Sequence, residues 1–124
     1  MERHFDQELE ELKNQLLLMG GRTEGIIHKS VEALKRRDAS LARTVFEDDR
    51  AIDRLEIDIE ERCVGLLALR QPLAADLRSI TAALKISNDL ERMGDHAVNI
   101  ASCAVRLAEV PPLKPLVDLP RMAD

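Results

Sequence analysis

The sequence predicts an all-α fold, an antiparallel up-down-up bundle of three helices of about 30 residues each, or about 45 Å as helix. Three observations point there. The apolar content is aliphatic: Phe5 and Phe46 are the only aromatics, while charged residues make up 33% of the chain. That mixture suits long helices with an apolar seam and solvated outer faces, and it does not suit a β-sandwich. Helix-breaking signals fall at few places. Between them, seam residues recur in alternating steps of four and three. A chain of 124 residues has room for one domain rather than two.

The first helix is expected over 5–37, with the seam Phe5, Leu9, Leu12, Leu16, Met19, Thr23, Ile26, Ser30 and Ala33. Gly20–Gly21 is its weak point or kink, at about 1 kcal/mol per glycine relative to alanine. The stretch KRRDAS places basic residues at the helix end and Asp38 as the N-cap of the next helix. The second helix, over 39–70, has the seam Leu41, Val45, Asp48, Ile52, Leu55, Ile59, Arg62, Leu66 and Leu69. Pro72 fits the first turn of a third helix over 72–109 and pushes Gln71 out of the α region. Its seam is Leu77, Ile80, Leu84, Ser87, Glu91, Gly94, Val98, Ala101 and Val105. VPPLKP at 110–115 then stops the helix. Such short loops require neighbours to run antiparallel. The bundle therefore occupies 1–110, and 111–124 is an irregular tail.

Two carboxylates interrupt the third seam. Glu91 lies on it, Asp95 lies about 40° round, and Gly94 between them removes side-chain bulk. An unpaired carboxylate on a partly buried seam is costly and needs a cation, an arginine, a proton or water. Folding the second and third helices about residue 71 sets Glu91 level with about residue 51 and Asp95 with about 47. Asp49 and Asp53, again one turn apart, fall in that window with Glu47 and Asp48. The same operation on the first helix puts Glu24 and His28 at that height. Two acidic pairs from different helices thus meet. Hard oxygen donors without thiolate suit Mg²⁺, Mn²⁺, Ca²⁺ or iron rather than structural zinc. The competing reading is a salt-bridged or solvated acidic groove, with Arg50, Arg54 and Arg92 as the available partners. The candidate metal ligands are Asp49, Asp53, Glu91 and Asp95.

Other classes find little support. Residues 47–61 hold eight acids against Arg50 and Arg54, a local charge of −6 within a net −5, so nucleic acid is a poor partner. The longest aliphatic run, LLLM at 16–19, does not span a bilayer, and no secretory signal pattern is present at the start. Cys63 and Cys103 form no CxxC and are expected about 18 Å apart along the axis, beyond disulfide reach, as reduced thiols of a cytosolic protein. No His follows a Glu by three residues, as the di-iron carboxylate bundles require, and no hydrolase or phosphate-loop motif is present. His28 and His96 read as polar surface residues.

At these residues the sequence resembles a known family. DLERMGDHAVNIA, LALRQPLAADLRSI, EDDRAIDRLEIDIEE and the opening FDQELEELKNQLLLMGG together look like the PhoU family of phosphate-transport regulators, in order and over 3–110. The resemblance implies a cytoplasmic, non-enzymatic, all-helical protein that negatively controls the phosphate regulon. It implies two partners, the Pst phosphate ABC transporter and a PhoR-type sensor histidine kinase. It also implies metal, with iron, zinc, manganese or magnesium as the candidates, at E(D)-x-x-x-D motifs that match Glu91 with Asp95 and Asp49 with Asp53. Members repeat the bundle twice. This chain shows one copy and then residues that resemble the connector and the start of a second bundle, so a homodimer or larger assembly is expected. The alternatives are a structural oligomerisation bundle with a solvated acidic face and a carboxylate-bridged metalloenzyme.

Overall fold

The computed structural model describes residues 2–69 and 74–110. Among the described residues, the chain forms α1 (Glu2–Arg36), α2 (Ala39–Leu69) and α3 (Ala74–Glu109), each packed against both of the others. The expected helix ends agree within a few residues. Pro72, Leu69 as a seam side chain and the tail 111–124 lie outside what the structure describes. No described helix is long and apolar enough to cross a membrane.

The period predicts the core well. Phe5, Leu12, Met19, Ile26 and Ala33 of α1 are buried, with Thr23 and Ser30 beside them. On α2 the buried set is Ala42, Val45, Ile52, Ile59, Cys63 and Leu66. On α3 it is Ile80, Ala83, Ser87, Gly94, Ala97, Ala101 and Ala104. Small residues thus dominate the α3 seam and let the other helices approach closely. α1 runs unbroken through Gly20 and Gly21.

The two polar residues on the α2 seam pair across to α1. Arg62 Nη1 lies 2.6 Å from a Glu8 carboxylate oxygen, and its Nε donates to Gln15 Oε1 at 2.9 Å. Asp48 accepts from Lys29 at 2.5 Å. Both are half-buried pairs at the rim of the core, which satisfies their charges without removing them from water.

The α1–α2 corner is a two-residue turn. Asp38 N donates to Ala33 O at 2.9 Å, closing α1 in a Schellman-type turn, and Arg37 takes the left-handed conformation at φ 55°. A glycine is the usual occupant of that position. Here the arginine side chain is used instead. Its Nη2 donates to Leu107 O at 2.5 Å and Val110 O at 2.8 Å, capping carbonyls at the end of α3. Asp38 is the expected N-cap, with Oδ1 accepting from Leu41 N at 3.0 Å. Asp38→Ala is expected to lower stability by about 1 kcal/mol, read as a shift in the urea midpoint with an unchanged slope.

Candidate functional site

The site is an acidic groove between α2 and α3. Its floor is Gly94, buried on α3. A Cβ built there stands 3.1 Å from Asp49 Oδ1 and 3.8 Å from Ile26 Cδ1, so the missing side chain is what lets the Asp49 carboxylate lie against the α3 backbone. Asp49 and Gly94 are therefore level. This is the height the hairpin arithmetic assigns to the two acidic pairs.

The electrostatics follow from this proximity. Burial, then the charges of Asp53, Asp95 and Glu91, push the Asp49 carboxyl up from 3.8 to about 6. Burial, then Glu91 and Asp95, push Asp53 up as well. Each is a carboxylate losing water while facing like charges. Asp53, Glu91 and Asp95 thus lie near enough to Asp49 to act on its charge.

A fifth carboxyl joins them that the sequence reading passed over. Glu56 is raised from 4.5 to about 8, first by burial, then by a hydrogen bond with Glu91, then by the charges of Glu91, Glu60 and Asp53. Burial and the Glu91 carboxylate thus both favour the protonated form of a carboxyl shared between Glu56 and Glu91. The signal was present in the sequence: Asp49, Asp53, Glu56 and Glu60 follow one another by four, three and four residues, a single helical stripe. Glu91 acts on Asp53 at its own height and reaches along the stripe to Glu56.

Other residues at that height turn elsewhere. Asp48 points to α1 and Lys29, away from the groove. Glu24 and His28 are exposed on the outer surface of α1, 3.8 Å from each other. Arg50, Arg54, Arg92 and His96 are exposed, and no ion pair joins the three arginines to the groove among the described residues. In this structure those arginines point away from the groove carboxylates into solvent. Cys63 and Cys103 are both free thiols. Thr23 is fully buried on the core face of α1, and its Oγ1 has no hydrogen-bond partner.

The donor set has the chemistry of a hard-cation site: carboxylate oxygens at one height, mutually repelling, with no cation among them. As posed, no three His, Cys, Asp or Glu side chains among the described residues converge on one point. The residues therefore fit a cation by donor type and level. Capture requires rotation of their carboxylates about χ and their deprotonated forms.

Fold and groove together define an all-helical bundle protein with a carboxylate-lined cleft between two of its helices. The chain belongs to the PhoU domain family, whose pattern matches residues 16–104. It is 49% identical over 95% of its length to a phosphate-specific transport system accessory protein PhoU homolog of Aquifex aeolicus, covering 53% of that protein. A homolog of the same name from Pseudomonas putida is 46% identical over 86% of this chain and 42% of its own. The crystal structure of PhoU from Pseudomonas aeruginosa superposes with a TM-score of 0.82 at 45% identity, over 85% of this chain and 50% of that one. The chain thus spans about half the length of the curated relatives it matches.

Proposed function

We propose that this chain is a non-enzymatic cytoplasmic regulator of phosphate uptake. In this reading it holds down the phosphate regulon by linking the Pst ABC transporter to a PhoR-type sensor kinase, and it works as a self-associated assembly. The observation that supports it most is likeness along the whole bundle to proteins named as phosphate-transport accessories. The test is repression. Expressed in a bacterium deleted for its own regulator of this kind, the chain should restore silence of a phosphate-starvation reporter in phosphate-rich medium. A reporter that stays fully active, with the chain present and folded, overturns the reading.

We propose further that Asp49, Asp53, Glu91 and Asp95 hold a divalent or trivalent cation of iron, manganese, magnesium or zinc type, with Glu56 giving up its proton as the ion enters. The cation would offset the repulsion that now raises Asp49 and Asp53. Equilibrium dialysis with Mn²⁺, Fe³⁺ and Zn²⁺ tests this. Glu91→Ala combined with Asp95→Ala should leave the helical signal intact and lower the bound metal at least about 10-fold. Equal uptake by the double variant means the ligand assignment is wrong. The second reading, a bundle with a solvated acidic face, draws support from the raised Glu56 carboxyl beside Glu91, since protonation there relieves part of the repulsion without a cation. It is the reading left if wild-type protein takes up no ion.

A further inference from the structure

A notch opens on the α1–α2 side of the bundle, away from the acidic groove. Its volume is about 270 Å³, and Arg22, Gly25, Ile26, Lys29 and Asp48 line it. The sequence sets its shape. Arg22 and Lys29 are seven residues apart, so they stand on one face of α1 two turns from each other, roughly 10 Å along the axis. Both side chains are long enough to bend over the turn between them. Gly25 lies in that turn, is exposed, and has no side chain to fill the space. Ile26, 2% exposed, is the apolar floor. Asp48 forms the α2 wall and accepts from Lys29 at 2.5 Å. Arg22 is exposed, and no ion pair joins it among the described residues. The notch thus sets two cations against one carboxylate and leaves one of the cations uncommitted.

We propose that this notch binds inorganic phosphate, with Arg22 and Lys29 donating to its charged oxygens and Asp48 accepting from its hydroxyl. A guanidinium presents paired N–H donors that suit a tetrahedral oxyanion, and an ammonium adds a point charge. A carboxylate would be a defect in a site for anions in general. For phosphate it is a partner, because at neutral pH phosphate keeps at least one P–OH group that donates, whereas sulfate has only acceptor oxygens. Asp48 therefore separates two ions of the same shape by repelling one of them. The Lys29–Asp48 pair holds both groups in place before the ion arrives. The inference rests on the reading of the chain as a regulator of phosphate uptake and gives that reading a point where the phosphate level reaches the protein directly. Consecutive residues of α2 serve the two sites, since Asp48 turns to α1 and Asp49 to α3.

The test is an amide titration of the full chain by NMR, with sodium phosphate and separately with sodium sulfate, at neutral pH and constant ionic strength. Saturable shifts centred on the Gly25 amide are expected with phosphate, at an affinity at least about 10-fold that for sulfate. Gly25→Leu fills the notch. A Cβ there meets nothing within 4 Å, so the fold holds, and phosphate binding should weaken about 10-fold or more. Arg22→Gln should weaken it similarly. Asp48→Asn adds a donor in place of a charge and should bring sulfate up to the affinity of phosphate. Phosphate that produces no saturable shift over 22–29, or that binds Gly25→Leu as well as wild type, overturns the notch. Equal affinity of the wild type for phosphate and sulfate reduces the effect to screening by two surface cations and overturns it as well, whether or not Asp48→Asn folds. Reporter repression is measured separately. A chain that silences the starvation reporter without binding phosphate overturns the notch and leaves the regulator reading standing.

Discussion

Gly94→Leu is expected to destabilise the bundle by about 2–3 kcal/mol and to remove cation uptake. The reason lies in what surrounds the position. A first carbon already stands 3.1 Å from Asp49 Oδ1 and 3.8 Å from Ile26 Cδ1. Three further carbons have only the α2 rim and the aliphatic core to enter, so Ile26, 2% exposed, must shift. Gly94→Ala separates stability from site geometry. Its Cβ makes an ordinary contact with Ile26 and a close one only with the end of the half-buried Asp49 side chain, which can rotate outward. Replacing a helix glycine by alanine returns up to about 1 kcal/mol. Moving Asp49 into water also relieves a carboxyl that burial and its neighbours hold up at about 6. The alanine variant should therefore match or slightly exceed wild type in chemical denaturation without metal, yet bind a divalent ion at least about 10-fold more weakly. Denaturation midpoints and dialysis on the same two variants check both halves. A leucine variant as stable as wild type would mean that α2 and α3 are not in close contact here.

The success of the register estimate explains how much was legible. Helix ends, antiparallel order and the meeting of Asp49 with Glu91 and Asp95 follow from loop positions and a fixed rise per residue. These are backbone quantities and need no side-chain detail. What was missed depends on side-chain size and rotation. Leu77 sits on the expected seam of α3 and is 42% exposed. The interior instead takes Ala83, Ala97 and Ala104, whose small side chains give a weak apolar signal. Cys63 was hidden on α2 for the same reason: a seam of large aliphatics draws the eye from a buried thiol that donates to Ile80 O. Asp48 shows the opposite error. It lies one residue from Asp49, yet 100° of rotation carries it to Lys29 on α1 while Asp49 turns to α3. Axial height was readable for both; only the three-body packing decides which neighbour each one meets. Glu56 was recoverable from its spacing to Asp49 and Asp53, but its raised affinity for a proton was not, since that follows from burial and contact with Glu91.

The raised Glu56 and Asp49 carboxyls are expected to make the metal-free bundle more stable in mild acid than in mild base, by about 2–3 kcal/mol between pH 9 and pH 5 after allowance for the partial exposure of the groups. Glu56 and Asp49 have folded-state values of about 8 and about 6, above their ordinary 4.5 and 3.8. Between the unfolded and folded values the native state binds more protons than the unfolded chain, so stability falls as pH rises. The contribution is fully present near pH 4, declines through pH 6 as Asp49 ionises, and is lost through pH 8 as Glu56 ionises against Glu91. The groups facing these two are Asp53 and Glu60 on α2 and Glu91 and Asp95 on α3, all acidic; of the charged residues of α1 at this height, Arg22, Glu24 and His28 are exposed and Lys29 is paired with Asp48. No cation from another helix therefore reverses the slope. Thermal melts in chelator at pH 5, 7 and 9 measure it. Glu56→Gln, which keeps a donor toward Glu91 and cannot ionise, should flatten the slope above pH 6 and melt higher than wild type at pH 9. A saturating divalent ion should invert the order, because ligation requires the deprotonated carboxylates and strengthens as pH rises. Melting temperatures of the metal-free wild type that climb from pH 5 to pH 9 would show that the groove carboxylates are solvated and apart, and would remove the electrostatic basis for placing a cation between them.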